Sequence, residues 1–363
     1  MKQVLKWKSS GVLFSAASLL IAIVLSGLIM AAAGHNPFSA FAAIAVGAFG
    51  GVRQLANTLT QTTPLIFTGL AFVIARKASI INLGVEGQLY MGALGAALVG
   101  ITDFGLPHAL HLLFALLAGA VFGSLYAAIV GILKVKFGSN EVVATVMLNS
   151  IALLFVGFLL NGPLLAEGSA VDQTVRIQET AELPRVIAQY QLTMGIFLAI
   201  GACFFIKWLF ERTTVGYDIR CVGLNKLASE TAGIQTGRVI IISLCISGAI
   251  AGIAGAVHVL GVDRRLIFGF SPGFGFAGIS VAALAAENIL GIMLASLIFG
   301  AMRSGSLELA RTTSVPAEFA NVIQALVVLL VAAPMLVREL SKLGGFVKKG
   351  GGAIRRWTSS SKT

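Results

Sequence analysis

Apolar stretches closed by polar or charged boundaries recur along the 363-residue chain, and most are long enough for an α-helix to cross the hydrocarbon core of a bilayer. Reading each window against its boundaries predicts helices near Gly11 to Ala33, Asn57 to Ala75, Ile80 to Ile101, His108 to Leu133 and Val142 to Leu160. A second set is predicted near Leu192 to Phe210, Val239 to Leu260, Phe274 to Ala286, Ile289 to Met302 and Pro316 to Val337. The windows at 274 and 289 fall short of the ~17 residues of a full span and are separated by Glu287-Asn288, so they read as tilted or discontinuous helices. The expected fold class is therefore an all-α polytopic membrane protein of about ten transmembrane helices, some of them discontinuous.

Composition supports this reading. Residues are 57% apolar and only 11% charged, under half the ~25% of an ordinary soluble domain. The net charge of +11 invites a nucleic-acid reading, but the placement of the 26 Lys and Arg residues follows the membrane. With the N-terminus in the cytoplasm, 19 of them fall inside and 7 outside, as the positive-inside rule demands, and both termini are cytoplasmic. The N-terminus resembles a signal peptide, with Lys2, Lys6 and Lys8 before an apolar run. That run is longer than a ~7–15-residue secretory core and reads as an uncleaved first span.

The acidic segment 161–191 is expected to be an external loop. The segment 211–238, punctuated by Gly216, Gly223 and Gly233, is expected to be cytoplasmic, with a helix-compatible stretch from Asn225 to Thr231. Residues 1–340 form the transmembrane domain in this reading, and 341–363 a basic cytoplasmic tail beside anionic headgroups. Asn57 to Leu160 and Val239 to Val337 each hold four spans, entered from opposite sides. Each block carries a glycine-interrupted patch, Asn82-Leu83-Gly84-Val85-Glu86-Gly87-Gln88 in one and Gly273-Phe274-Gly275-Phe276-Ala277-Gly278 in the other. Paired interruptions in inverted halves point to a transport site, so an inverted repeat would relate these blocks.

Motifs for covalent chemistry are missing from the sequence. Cys203, Cys221 and Cys245 have no metal-ligand spacing, the four histidines form no HExxH-like cluster, and no G-x-x-x-x-G-K-[ST] phosphate loop occurs. Gly273, Gly275 and Gly278 satisfy G-x-G-x-x-G, but no βαβ context surrounds them. Gly119/Gly123 and Gly248/Gly252 are GxxxG spacings suited to close helix packing. The segment Asn82 to Gln88 is costly inside a bilayer. Glu86 either pairs with Arg76 and Lys77 at the cytoplasmic end or belongs to a permeation path with Asn82 and Gln88. Glu141, following Asn140, reads as a helix N-terminal charge.

Four blocks, Ile81 to Gln88, Gly138 to Asn149, Thr214 to Asn225 and Gly275 to Ala282, follow one another in an order that resembles the permease subunits of bacterial ABC importers for nucleosides and simple sugars, within the ribose and branched-chain amino acid permease superfamily. The resemblance spans about residues 10–340. The N-x-G-x-E-G-Q form resembles the nucleoside branch. Cys221, where the family commonly has alanine, and Ala286-Glu287-Asn288, where a Gly-[Arg/Lys]-Asn turn is common, depart from the pattern. The resemblance implies a cytoplasmic ABC ATPase docked through Gly216, Tyr217, Arg220, Gly223, Asn225 and Gly233, with ATP and Mg bound by that partner and no cofactor in this chain. It also implies a second permease, either a paralogue or a second copy, and an external solute-binding lipoprotein.

These readings lead to an importer subunit in the bacterial plasma membrane that works by alternating access, contacts membrane lipid and binds no nucleic acid. Asn82, Glu86, Gln88 and Asn149 are the polar candidates for the substrate pathway, and Phe274 and Phe276 the stacking candidates; Asn149 could instead only bridge helices. Ribose-like sugars are the alternative substrate. An ATP-independent secondary transporter is the alternative function, although no buried acid pair or ring of charge supports it.

Overall fold

The computed structural model describes residues 23–32 and 34–312, with isolated positions 21, 322, 325 and 326. The expected last span Pro316 to Val337, the tail 341–363 and most of the N-terminal half of the first span lie outside the described residues. The chain divides into two compact units, one formed by Met1–Phe41 with Ser314–Thr363 and the other by Ala42–Thr313. The first contributes helix α1 (Ile23–Ala32) and the start of α2 (Pro37–Phe49). The second holds α3 (Val52–Lys77), α4 (Val85–Ile101), α5 (His108–Phe137), α6 (Glu141–Leu160), α7 (Gly195–Arg212), α8 (Thr214–Leu224), α9 (Lys226–Thr231), α10 (Thr236–His258), α11 (Phe274–Leu284) and α12 (Ile289–Thr312).

Every named element among the described residues is helical. Five helices are long and apolar enough to cross a membrane: α3, α5, α6, α10 with its π-helical extension to Asp263, and α12; α1, α2, α4 and α11 are shorter apolar helices. Several elements differ from the sequence reading. Helix α2 occupies a stretch left between spans, being only 13 residues long. Helix α12 continues past Met302 to Thr312, so it is not a short segment, and Arg303 lies within the helix rather than in an external loop.

The interior is made by α3, α4, α10 and α11, while α5 and α6 turn broad apolar faces outward through Leu113, Leu117, Val121 and Leu125, and through Met147, Ile151, Leu154 and Phe158. Glycine decides how α4, α5 and α10 pack. A β-carbon on Gly123 would stand 2.8 Å from Gly252 Cα, one on Gly119 2.7 Å from the Ala256 β-carbon, and one on Gly92 would collide with the Gly252 backbone. The two GxxxG spacings thus face each other, and contact of this closeness excludes any side chain. Threonines in α3 are accommodated by bonding back along the helix. Thr60, Thr62 and Thr63 donate their hydroxyls to the carbonyls of Ala56, Thr58 and Leu59 at 2.7–2.8 Å.

The long loop after α6 is well tied down. Its backbone bonds to the segment after α10, through Thr174 N–H to Leu266 O at 2.9 Å and Phe268 N–H to Asp172 O at 2.9 Å, and to the end of α4 through Gln178 N–H to Gly100 O at 2.8 Å. Arg176 and Arg264 grip the two oxygens of Glu182 at 2.7 and 2.9 Å. The hydrogen bond to Glu182, then its charge, holds the Arg176 guanidinium above its usual range.

Candidate functional site

Both glycine-interrupted patches open onto helix starts, and they meet. Helix α4 begins at Val85, later than the predicted Ile80, because Asn82 to Gly84 form a turn fixed by the Asn82 side chain, which accepts from Gly84 N–H at 2.9 Å. Helix α11 begins at Phe274, after Gly273 in a left-handed conformation (φ 84°). The Glu86 carboxylate, in the first turn of α4, accepts the Gly275 N–H of α11 at 2.5 Å, with Ser271 and Arg303 close by. An anion is well placed against the unpaired N–H groups of a helix start. A β-carbon on Gly275 would lie 2.6 Å from Glu86 Cα, so glycine is required for this approach.

Glu86 is therefore not the partner of Arg76 and Lys77. Glu287 fills that role, at 3.0 Å from Arg76 and 4.0 Å from Lys77. Ala286 and Glu287, where the family commonly carries a glycine-containing turn, take positive φ values of 49° and 57°. The turn geometry persists without the glycine, with left-handed backbone at a β-carbon-bearing residue.

Asn82, Gln88 and Asn149 are buried and bonded within the protein. Asn82 exchanges hydrogen bonds with the Gln88 amide at 3.1 and 3.2 Å and donates to Ser247 Oγ at 2.9 Å, which in turn donates to Ala71 O at 2.6 Å. Asn149 donates to Leu83 O and accepts from Gly87 N–H, both at 2.7 Å, so it bridges α6 to the start of α4. Phe274 is buried beneath Arg303, whose guanidinium carbon lies 4.8 Å from the ring centre, while Phe276 is 48% exposed on the far side of α11. The structure thus brings Asn82, Glu86, Gln88, Asn149 and Phe274 to one junction and leaves Phe276 outside it.

Residues that sequence reasoning passed over complete the junction. His258, at the end of α10, lies 5.5 Å from Phe270 and 5.4 Å from Phe274 between ring centres, and 3.4 Å from Asp263; Tyr90 meets Phe270 edge-on at 4.8 Å. The π-turn Val259–Asp263 beside them had no counterpart in the sequence periodicity. Within α3, six of the seven residues from Asn57 to Thr63 are polar. That density inside a span was a readable signal.

At the end of the bundle that carries Arg76 and Lys77, two short helices replace the single helix expected. Helix α8 covers Gly216, Tyr217, Arg220 and Gly223, and α9 follows Asn225, whose side chain accepts from Ala228 N–H at 3.1 Å. Gly233 takes φ 85° and closes the segment. Gly223 is helical, and its need for glycine is spatial, since a β-carbon there would run into the Lys77 carbonyl. Arg220 and Gly223 line a cavity of about 340 Å³ with Arg76, Lys77, Ser79, Leu224 and Glu287. Tyr217, Leu224 and Leu227 are exposed at 57%, 88% and 75%.

Residues 54–332 match the model of the branched-chain amino acid transport system / permease component family. The chain belongs to that family. This permease is 35% identical over 341 residues to the guanosine ABC transporter permease protein of Bacillus subtilis, covering 91% of this chain and 96% of the relative. It is 30% identical over 342 residues to a nucleoside ABC transporter permease protein of Lactococcus lactis, covering 92% and 94%. It is also 28% identical over 322 residues to the glucose ABC transporter permease protein of Haloferax volcanii, covering 86% and 84%. No solved structure matches it significantly. The chain is a multi-pass membrane permease subunit of the ABC transporter class.

Proposed function

We propose that this permease imports nucleosides, driven by ATP that a separate cytoplasmic ATPase hydrolyses. The observation that carries the reading is its similarity, over nearly its full length, to permeases named for guanosine and nucleoside transport. The glucose permease relative favours sugars as the second reading. Ten spans, cytoplasmic termini and an inverted relation between Asn57 to Leu160 and Val239 to Val337 belong to the same proposal. The meeting of the two interrupted patches at Glu86 and Gly275 supports that relation.

In this mechanism the exposed apolar side chains of α8 and α9 seat the ATPase, and ATP and Mg reside wholly in that partner. The close contact of Gly223 with Lys77 passes a push from α8 to the end of α3. From there it reaches α11 and α12 through Arg76 and Glu287. Asn82, Gln88 and Asn149 keep the turn before α4 rigid, so a displacement of α11 is felt at Glu86, Arg303 and Phe274, around which the central path opens to alternate sides. A second permease completes that path, and an external solute-binding lipoprotein delivers solute to the outer loops.

Reconstitution with the cognate ATPase, second permease and binding protein tests the reading. ATP-dependent uptake of guanosine is expected, absent without the ATPase. Gradient-driven uptake by the permease alone would assign it to secondary transport, and uptake of free sugar with no nucleoside uptake would favour the second reading.

A further inference from the structure

Four buried side-chain atoms have no hydrogen-bond partner among the described residues: Arg185 Nε and Arg264 Nε in the outer loops, Gln61 Oε1 on α3 and Ser296 Oγ on α12. The last two lie within the packed spans, where an unsatisfied polar atom is costly and calls for a reason. Gln61 occurs on a helical stripe with Asn57, Pro64 and Thr68, spaced i, i+4, i+7 and i+11.

The neighbours of α3 show what covers that stripe. Thr68 meets α11 at Gly278, and Arg76 meets Glu287 just after α11, so α11 runs parallel to α3. Helix α11 begins at Phe274, one turn before Gly278, so its start is level with Pro64. The stripe continues beyond it through Gln61 and Asn57, both half-buried. Gly69 meets Ile292, while Thr58 and Thr62 meet Gly300, so α12 runs antiparallel to α3 and occupies the adjacent face. Ser296 falls between those two contact points, and Arg303 one turn beyond Gly300. On the opposite face, Thr60 and Thr63 share a narrow cavity with His258.

We infer that Gln61, with Asn57 on its stripe and Ser296 on the facing helix, receives the polyhydroxyl portion of the solute just beyond the start of α11. An amide oxygen without a donor and a serine hydroxyl without a partner match sugar hydroxyls, which both donate and accept. The inference rests on the importer reading but on either substrate within it, because a nucleoside and a free sugar share this chemistry. The start of α11 carries the stacking of Arg303 over Phe274 and the Glu86 contact with Gly275.

The test uses the full complex in proteoliposomes at saturating binding protein, with guanosine as solute. If guanosine is not taken up by the wild type, the nucleoside reading fails separately, and the same variants are assayed with ribose. Gln61→Leu should lower uptake about tenfold, the worth of one neutral hydrogen bond, while ATP hydrolysis persists. In a background lacking Cys203, Cys221 and Cys245, saturating solute should slow alkylation of Gln61→Cys, and this result decides the matter should the leucine variant not assemble. Wild-type uptake by an assembled Gln61→Leu complex, or alkylation of a transporting Gln61→Cys complex unaffected by solute, would overturn the assignment.

Discussion

Asn149 does with one side chain what a helix start ordinarily needs water or a cap for. Its amide satisfies the Leu83 carbonyl and the Gly87 N–H, both at 2.7 Å, inside the protein. Asn149→Ala strands a backbone donor and a backbone acceptor in a buried setting, each costing about 1–3 kcal/mol. The expected outcome is a loss of about 2–6 kcal/mol in stability, seen as a lowered melting temperature of the purified permease in detergent. An unchanged melting temperature would mean that the turn before α4 is held by Asn82 alone. Asn82 itself illustrates how a residue's chemistry can be legible while its role is not. An amide within an apolar window signals a break, but its bonds to Gln88 and to Ser247, 165 positions away, assign it to holding that break.

Helix α8 couples two properties that belong to an element. Its outer face presents Tyr217 and Leu224 to solvent, and its inner face is pressed onto the end of α3 with no room for a side chain at Gly223. Gly223→Val should lift α8 off the Lys77 carbonyl while leaving the spans intact. The expected result is a complex that either loses its ATPase on purification or hydrolyses ATP without uptake, the second measured as moles of guanosine imported per mole of ATP. Wild-type stoichiometry would show that the push travels by another contact. The glycines of α4, α5 and α10 work differently: Gly92, Gly123 and Gly252 set the distance between long helices, so substitutions there act on folding.

For the permease as a whole, the segments expected on each side of the membrane are bonded to one another. The loop after α6 is joined to the end of α4 and to the segment after α10, whereas the end of α3 meets α8 and Glu287. The proposed topology, read from the charge asymmetry, puts the first group outside. A cysteine introduced at Asp172, in a background lacking Cys203, Cys221 and Cys245, should react with a membrane-impermeant thiol reagent added outside intact cells. Reaction only after permeabilisation would invert the topology. The outward apolar faces of α5 and α6 suit lipid or another apolar helix face, and neither needs polar complementarity.

Hydropathy, charge placement and glycine spacing are local properties. From them alone the chain could be read as a helical membrane protein, the family recognised from four motif blocks, both interrupted patches located and the GxxxG faces marked. Three things could not be read, each because it depends on residues far apart in the chain. The Glu86 partner lies 189 positions away at Gly275, so nothing near Glu86 distinguished it from a partner of Arg76 and Lys77. Helix α8 escaped notice because its glycines resemble loop punctuation until the Lys77 backbone is placed against one of them. The polar stripe of α3 was visible as composition, but its significance depends on α11 beginning level with Pro64. A helix end gains meaning only from the residues its neighbours place beyond it, and that is fixed by how α3, α11 and α12 pack.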